Sequence, residues 1–94
     1  MSYLAKNYNR KKISFKFGKG SYLYSGQNKK YLDFVQGIAV NSLGHAHPKL
    51  IKTINDQSKK LWHVSNAFQI PEGEKLAKKL CKKTFADYVM FQNS

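Results

Sequence analysis

Apolar and polar residues alternate at period two over "ISFKF" (13–17), which predicts a half-buried strand. "FGKGS" then breaks the pattern. "YLYS" (22–25) and "KYLDF" (30–34) are also strand-like, with "GQNK" between them. Gly26 and Asn28 tolerate positive φ, so the two runs are read as a hairpin with a turn longer than two residues. From Pro48 the period changes. Leu50, Ile51, Ile54, Leu61 and Trp62 recur at helical spacing, with Lys49, Lys52, Asn55, Asp56 and Lys59 between them, and a helix is expected over 48–62. Proline is well placed as a first helical residue, where a missing N–H costs nothing. "HVSNAFQIPEG" interrupts this pattern, and a second helix is expected from Pro71. Glu72 and Glu74 suit its positive start, and Lys82 and Lys83 its negative end. Leu76, Ala77, Leu80 and Cys81 form its apolar stripe. "YVMF" (88–91) is a short continuous apolar run of the kind found in strands covered on both faces.

The order of elements is α/β in class, or α+β when this stretch is taken alone. It reads as an amino-terminal hairpin and two helices leading into a buried-type strand. Three segments follow: a basic arm over 1–12, a hairpin–helix–loop segment over 13–70, and a third segment over 71–94. Ninety-four residues make one small domain at most, burying only about 60% of the surface the unfolded chain exposes. One such chain supplies too little structure to cover a doubly buried strand.

Charge adds a second possibility. Sixteen lysines and Arg10 face five acids, for a net charge of +12. A basic surface attracts polyanions, so a small nucleic-acid-binding module is the competing reading, using lysines and exposed aromatics. The lysines come in scattered pairs, such as Lys59-Lys60 and Lys78-Lys79, rather than in one block. Arginine, which grips phosphate in two places, is nearly absent. A solvated lysine-rich surface is the simpler account. Cys81 is the one cysteine, which excludes an internal disulfide and points to a reducing compartment. On the helical stripe it reads as a packing residue rather than a nucleophile. No apolar run approaches the ~20 residues of a membrane span, and no signal peptide is recognisable at the amino terminus.

Candidate chemistry is sparse. His45 and His47, with His63 further on, lack the partners a zinc site needs, so no metal site is assigned. They read instead as turn-shaping residues, together with Gly44 and Pro48. Gly18-Lys19-Gly20 lacks the rest of a phosphate loop and reads as a turn. Ser65 and Ser94 sit in no nucleophile elbow. "FQNS" follows a buried-type strand, where α/β proteins place ligands.

Taken together, "YLDFVQGIAVNSLGHAHPKL", "QSKKLWHVSNAF", "LAKKL" and "YVMFQNS" resemble, in order and spacing, the amino-terminal part of the class III pyridoxal-phosphate aminotransferases. The likeness runs from about Gly20 to Ser94 and lies nearest the acetylornithine branch, with the ornithine and 4-aminobutyrate branches more distant. It implies that 71–94 is the truncated start of the large cofactor-binding domain, with 88–91 the first strand of that type I large domain. It implies amino transfer from N-acetylornithine, or a related ω-amino substrate, to 2-oxoglutarate in arginine biosynthesis, by a cytoplasmic homodimer with pyridoxal 5'-phosphate as cofactor. Gly37, Ile38, Ala39 and Val40 match the segment at the substrate entrance. Gly37 stands near a position where ornithine-type enzymes carry tyrosine. Ser65, Asn66 and Phe68 match a loop that approaches the active site across the dimer interface, and Gln69 departs from the aromatic residue common after it. Asn93 and Ser94 match the approach to the phosphate site. The Schiff-base lysine lies in a motif that none of these lysines matches. The resemblance therefore places no catalytic residue in this chain and implies that it is inactive by itself.

Overall fold

The computed structural model describes residues 2–93. Contacts divide the chain into two units, one running to Asp56 and the other starting at Gln57.

In the first unit three strands form an antiparallel meander in the order β1-β2-β3, with β1 Phe15–Lys19, β2 Tyr22–Ser25 and β3 Lys30–Leu32. β1 is shifted by two residues from the expected 13–17: it leaves out Ile13 and Ser14 and takes in Gly18 and Lys19, so the first turn is confined to Gly20 and Ser21. β2 and β3 pair with Tyr22 opposite Leu32 and Tyr24 opposite Lys30. In the turn between them the Asn28 N–H donates to Ser25 O at 2.9 Å and the Ser25 N–H to Lys29 O at 3.0 Å. Of the two residues expected to tolerate positive φ there, Asn28 uses it, at 59°. The register shifts between Phe15 and Phe17. Phe17 stacks on Tyr24, with ring centroids 4.5 Å apart, and Phe15 meets Tyr31 edge-on at 5.6 Å. Lys30 Nζ lies 3.8 Å from the Tyr22 ring centroid, within cation–π range.

A single helical turn, α1 Gln36–Ala39, follows β3. It was not legible from periodicity, and its hand explains why. Gln36, Gly37, Ile38 and Ala39 have φ of 53, 64, 62 and 61°, so the turn is left-handed. L-residues reach that region at a cost of about 1–2 kcal/mol each, and only Gly37 escapes it. Four N–H groups close the turn: Ile38 and Ala39 donate to Val35 O, and Val40 and Asn41 to Gln36 O.

α2 spans Pro48–Ser58. Its start is as expected, with Pro48 in the first turn. It ends four residues before the expected Trp62. The Trp62 indole N–H folds back onto Ser58 O at 2.6 Å and the Lys60 N–H closes onto Gln57 O, so the last carbonyls are satisfied by a turn instead of a further helical residue.

In the second unit α3 spans Pro71–Lys83, with Glu72 and Glu74 in its first turn and Lys82 and Lys83 in its last, as the charge pattern predicts. Beyond it the expected strand over 88–91 is not formed. A strand exists through its ladder of hydrogen bonds, and the described residues offer no neighbouring strand to pair with 88–91. None of its side chains is buried, and Tyr88 is 92% and Met90 78% exposed. No hydrophobic residue among those described is buried; only Ser25 and Asp33 are. Cys81 is half-buried on α3, so the expected apolar stripe is present but uncovered.

Candidate functional site

The most ordered polar cluster lies where β3 gives way to α1. Asp33 is buried there, and both of its carboxylate oxygens are engaged. Oδ1 accepts from the Val35 N–H at 3.0 Å and the Gln36 N–H at 2.9 Å. Oδ2 lies 2.6 Å from His45 Nε2. The Gln36 N–H, and after it the His45 ring, hold the Asp33 carboxyl below its ordinary pKa of 3.8; burial pushes the other way and is outweighed. The pair is an ion pair whenever the imidazole is protonated.

His45 is fixed by its backbone as well. Its N–H donates to Gly20 O at 2.8 Å, and the Gly20 N–H returns to His45 O at 2.9 Å. The loop thus lies against the β1–β2 turn, and two glycines permit the approach. A Cβ at Gly18 would stand 2.5 Å from His45 Cγ, and one at Gly44, where φ is +79°, 2.8 Å from Gly20 O. His47 acts separately. Its Nδ1 accepts from the Lys49 N–H at 3.2 Å, and its carbonyl takes the Leu50 and Ile51 N–H groups. This caps the start of α2. The two histidines of "GHAHP" therefore shape turns. Among the described residues, no three His, Cys, Asp or Glu side chains are placed to hold a metal.

Of the residues singled out in the sequence, Gly37, Ile38 and Ala39 form the left-handed turn and Val40 follows it. Ile38 and Val40 are largely exposed. Ser65 closes a turn of its own in the second unit, where its Oγ accepts from the Ala67 N–H at 3.1 Å. Asn66 and Phe68 line a mainly apolar cleft with Ile70, Leu76, Val89 and Phe91. Asn93 is exposed at the end of the described residues; Ser94 lies outside them. The role of Asp33 was not read from the sequence, although "DFVQ" carries the signal: an aspartate ahead of a turn accepts N–H groups two or three residues on.

Neither longer helix start is suited to a phosphate. That of α2 is engaged by His47, and that of α3 carries Glu72 and Glu74, which repel an anion. Among the described residues, no helix is long and apolar enough to cross a membrane.

The class-III aminotransferase family model matches residues 3–94. Among curated proteins, the chain is 53% identical over 85 residues to acetylornithine aminotransferase 1 of Bradyrhizobium diazoefficiens, covering 90% of this chain and 21% of that protein. It is 52% identical over 95 residues to the acetylornithine aminotransferase of Aquifex aeolicus, covering 100% of this chain and 25% of that protein. Among solved structures, it aligns with Plasmodium falciparum ornithine delta-aminotransferase at a TM-score of 0.84 and 29% identity, over 92% of this chain and 22% of that one. With N-acetylornithine aminotransferase from Stenotrophomonas maltophilia the TM-score is 0.71 at 34% identity, over 79% and 20%. The chain spans about a fifth to a quarter of the length of the curated relatives it matches. The nucleic-acid-module reading gains nothing from these likenesses. With a family match over nearly all its residues, the chain belongs to the class-III aminotransferases.

Proposed function

We propose that this chain is an amino-terminal portion of a pyridoxal-phosphate-dependent aminotransferase of the acetylornithine type. The single observation that carries the reading is identity of about one half to acetylornithine aminotransferases over 90–100% of the chain. The reaction moves the amino group of N-acetylornithine, or a related ω-amino substrate, to 2-oxoglutarate, yielding glutamate, in arginine biosynthesis. The parent enzyme is a cytoplasmic homodimer. The family depends in general on pyridoxal phosphate, which carries the chemistry of amino transfer. This chain contributes shape and access.

In this reading Gly37, Ile38, Ala39 and Val40 border the substrate entrance. With glycine at 37, no side chain there narrows the space for the N-acyl end of the substrate. Ser65, Asn66 and Phe68 form the loop contributed across the dimer interface. Asn93 and Ser94 lead into the phosphate-binding segment. In this reading the 94-residue chain alone is inactive, since none of its lysines matches the Schiff-base motif.

Two observations test this. The reading frame beyond codon 94 is expected to continue with Gly-Thr-Glu-Ala or a close variant; an unrelated continuation contradicts the assignment. Pyridoxal phosphate titrated into the 94-residue chain is expected to give only non-saturating absorbance from scattered lysines. A band that saturates at one equivalent overturns the claim of inactivity.

A further inference from the structure

The left-handed turn Gln36–Ala39 needs something to hold it. Three of its four residues carry a Cβ at positive φ. Apolar packing does not hold it, because Ile38 is 87% exposed and Val40 76%. The hydrogen bonds inside the turn fix its curl but not its place on the sheet.

We propose that Asp33, braced by His45, is the positioning residue that sets this left-handed turn on the sheet. Oδ1 takes the two N–H groups that immediately precede and open the turn, those of Val35 and Gln36. Oδ2 takes the His45 ring. His45 is tied by two backbone hydrogen bonds to Gly20 and lies so close over Gly18 that a Cβ there has no room. The Asp33 N–H itself donates to Ser21 O at 2.8 Å. Both ends of the clamp are therefore anchored to the β1–β2 turn, and Gln36 starts from a fixed point. The consequence for catalysis, a fixed orientation of the Gly37–Val40 entrance, rests on the function proposed above. The clamp itself does not.

The test uses the isotopically labelled 94-residue chain. Strong intraresidue Hα–HN Overhauser signals report positive φ at Gln36, Ile38 and Ala39, and amide exchange reports the hydrogen bonds at Val35 and Gln36. The wild-type chain is expected to show both. Asp33→Ala is expected to lose the positive-φ signature and to exchange Gln36 roughly tenfold faster, as for loss of one hydrogen bond, while β2–β3 signals at Tyr24 and Leu32 persist. Asp33→Asn is expected to restore the signature, since its amide oxygen still accepts both N–H groups and its NH2 can donate to a neutral His45 ring. The inference is overturned by a turn that survives in Asp33→Ala, by no restoration in Asp33→Asn, or by a wild-type chain without the signature. Loss of the β2–β3 signals along with the turn also overturns it, because Asp33 would then be a general stabiliser. A wrong reading of the entrance would leave all these signals unchanged and appear only in substrate assays.

Discussion

Single residues decide the loop between the sheet and α2. Gly44 combines φ of +79° with a backbone so close to Gly20 that a Cβ would stand 2.8 Å from Gly20 O, whereas Gly26 has ordinary φ and open space around it. Gly44→Ala is expected to lose about 1–3 kcal/mol of local stability, read as lost amide protection at Gly20 and His45; Gly26→Ala should stay within about 0.5 kcal/mol. Equal effects would show that the approach of Gly44 to Gly20 is unimportant. Asp33 gives the pH dependence. Its folded pKa lies below 3.8, so its contribution is complete above that value and is lost as pH falls through the lowered one. The Val35 and Gln36 amide shifts should titrate together with a midpoint below 3.8; a midpoint above it contradicts the clamp. The sequence showed Gly44 and His45 as turn-shaping residues because glycine and histidine stand out beside Pro48. It did not show their partner, since an Asp33–His45 contact spans twelve positions and depends on how the strands bring Gly20 back.

At the scale of elements, the helices rest on local terms. α3 has thirteen residues and buries none of them, and isolated helices of that length are marginal. Its end charges therefore count. Reversing Glu72 and Glu74 to lysine should lower its helicity by the equivalent of about 1 kcal/mol, less at high salt, read from residue-resolved chemical shifts. Leu76→Ala, which would cost about 2–5 kcal/mol in a packed core, should change helicity little in this chain, because Leu76 is half exposed. A large Leu76 effect would mean that the face is covered in solution. Helix starts were legible because proline marks both of them locally, and acidic residues mark that of α3. The end of α2 was not, since Leu61 and Trp62 continue the helical spacing while the Trp62 indole caps the helix from outside. The left-handed α1 defied periodicity altogether: nothing in "QGIA" except Gly37 announces positive φ.

On the scale of the whole molecule, the exposed apolar surface is the dominant feature. Phe34, Trp62, Phe85 and Tyr88 are each at least 85% accessible, and the "YVMF" run pairs with no strand among the described residues. The apolar pattern announced a strand, yet a strand needs a sheet, and local sequence cannot supply one. Family motifs were legible where composition was silent: the +12 charge pointed to polyanions, whereas "YLDF", "GHAHP" and "SN-x-F" pointed to an aminotransferase. In the function proposed above, these residues belong to an acetylornithine-type enzyme whose chemistry requires more than this chain. Glutamate formation from N-acetylornithine and 2-oxoglutarate, with pyridoxal phosphate present, tests that most directly when the 94-residue chain is compared with the product of the full reading frame. Glutamate is expected from the full product alone, and faster with N-acetylornithine than with ornithine or 4-aminobutyrate. Turnover by the 94-residue chain, or a full product that prefers 4-aminobutyrate, would contradict it.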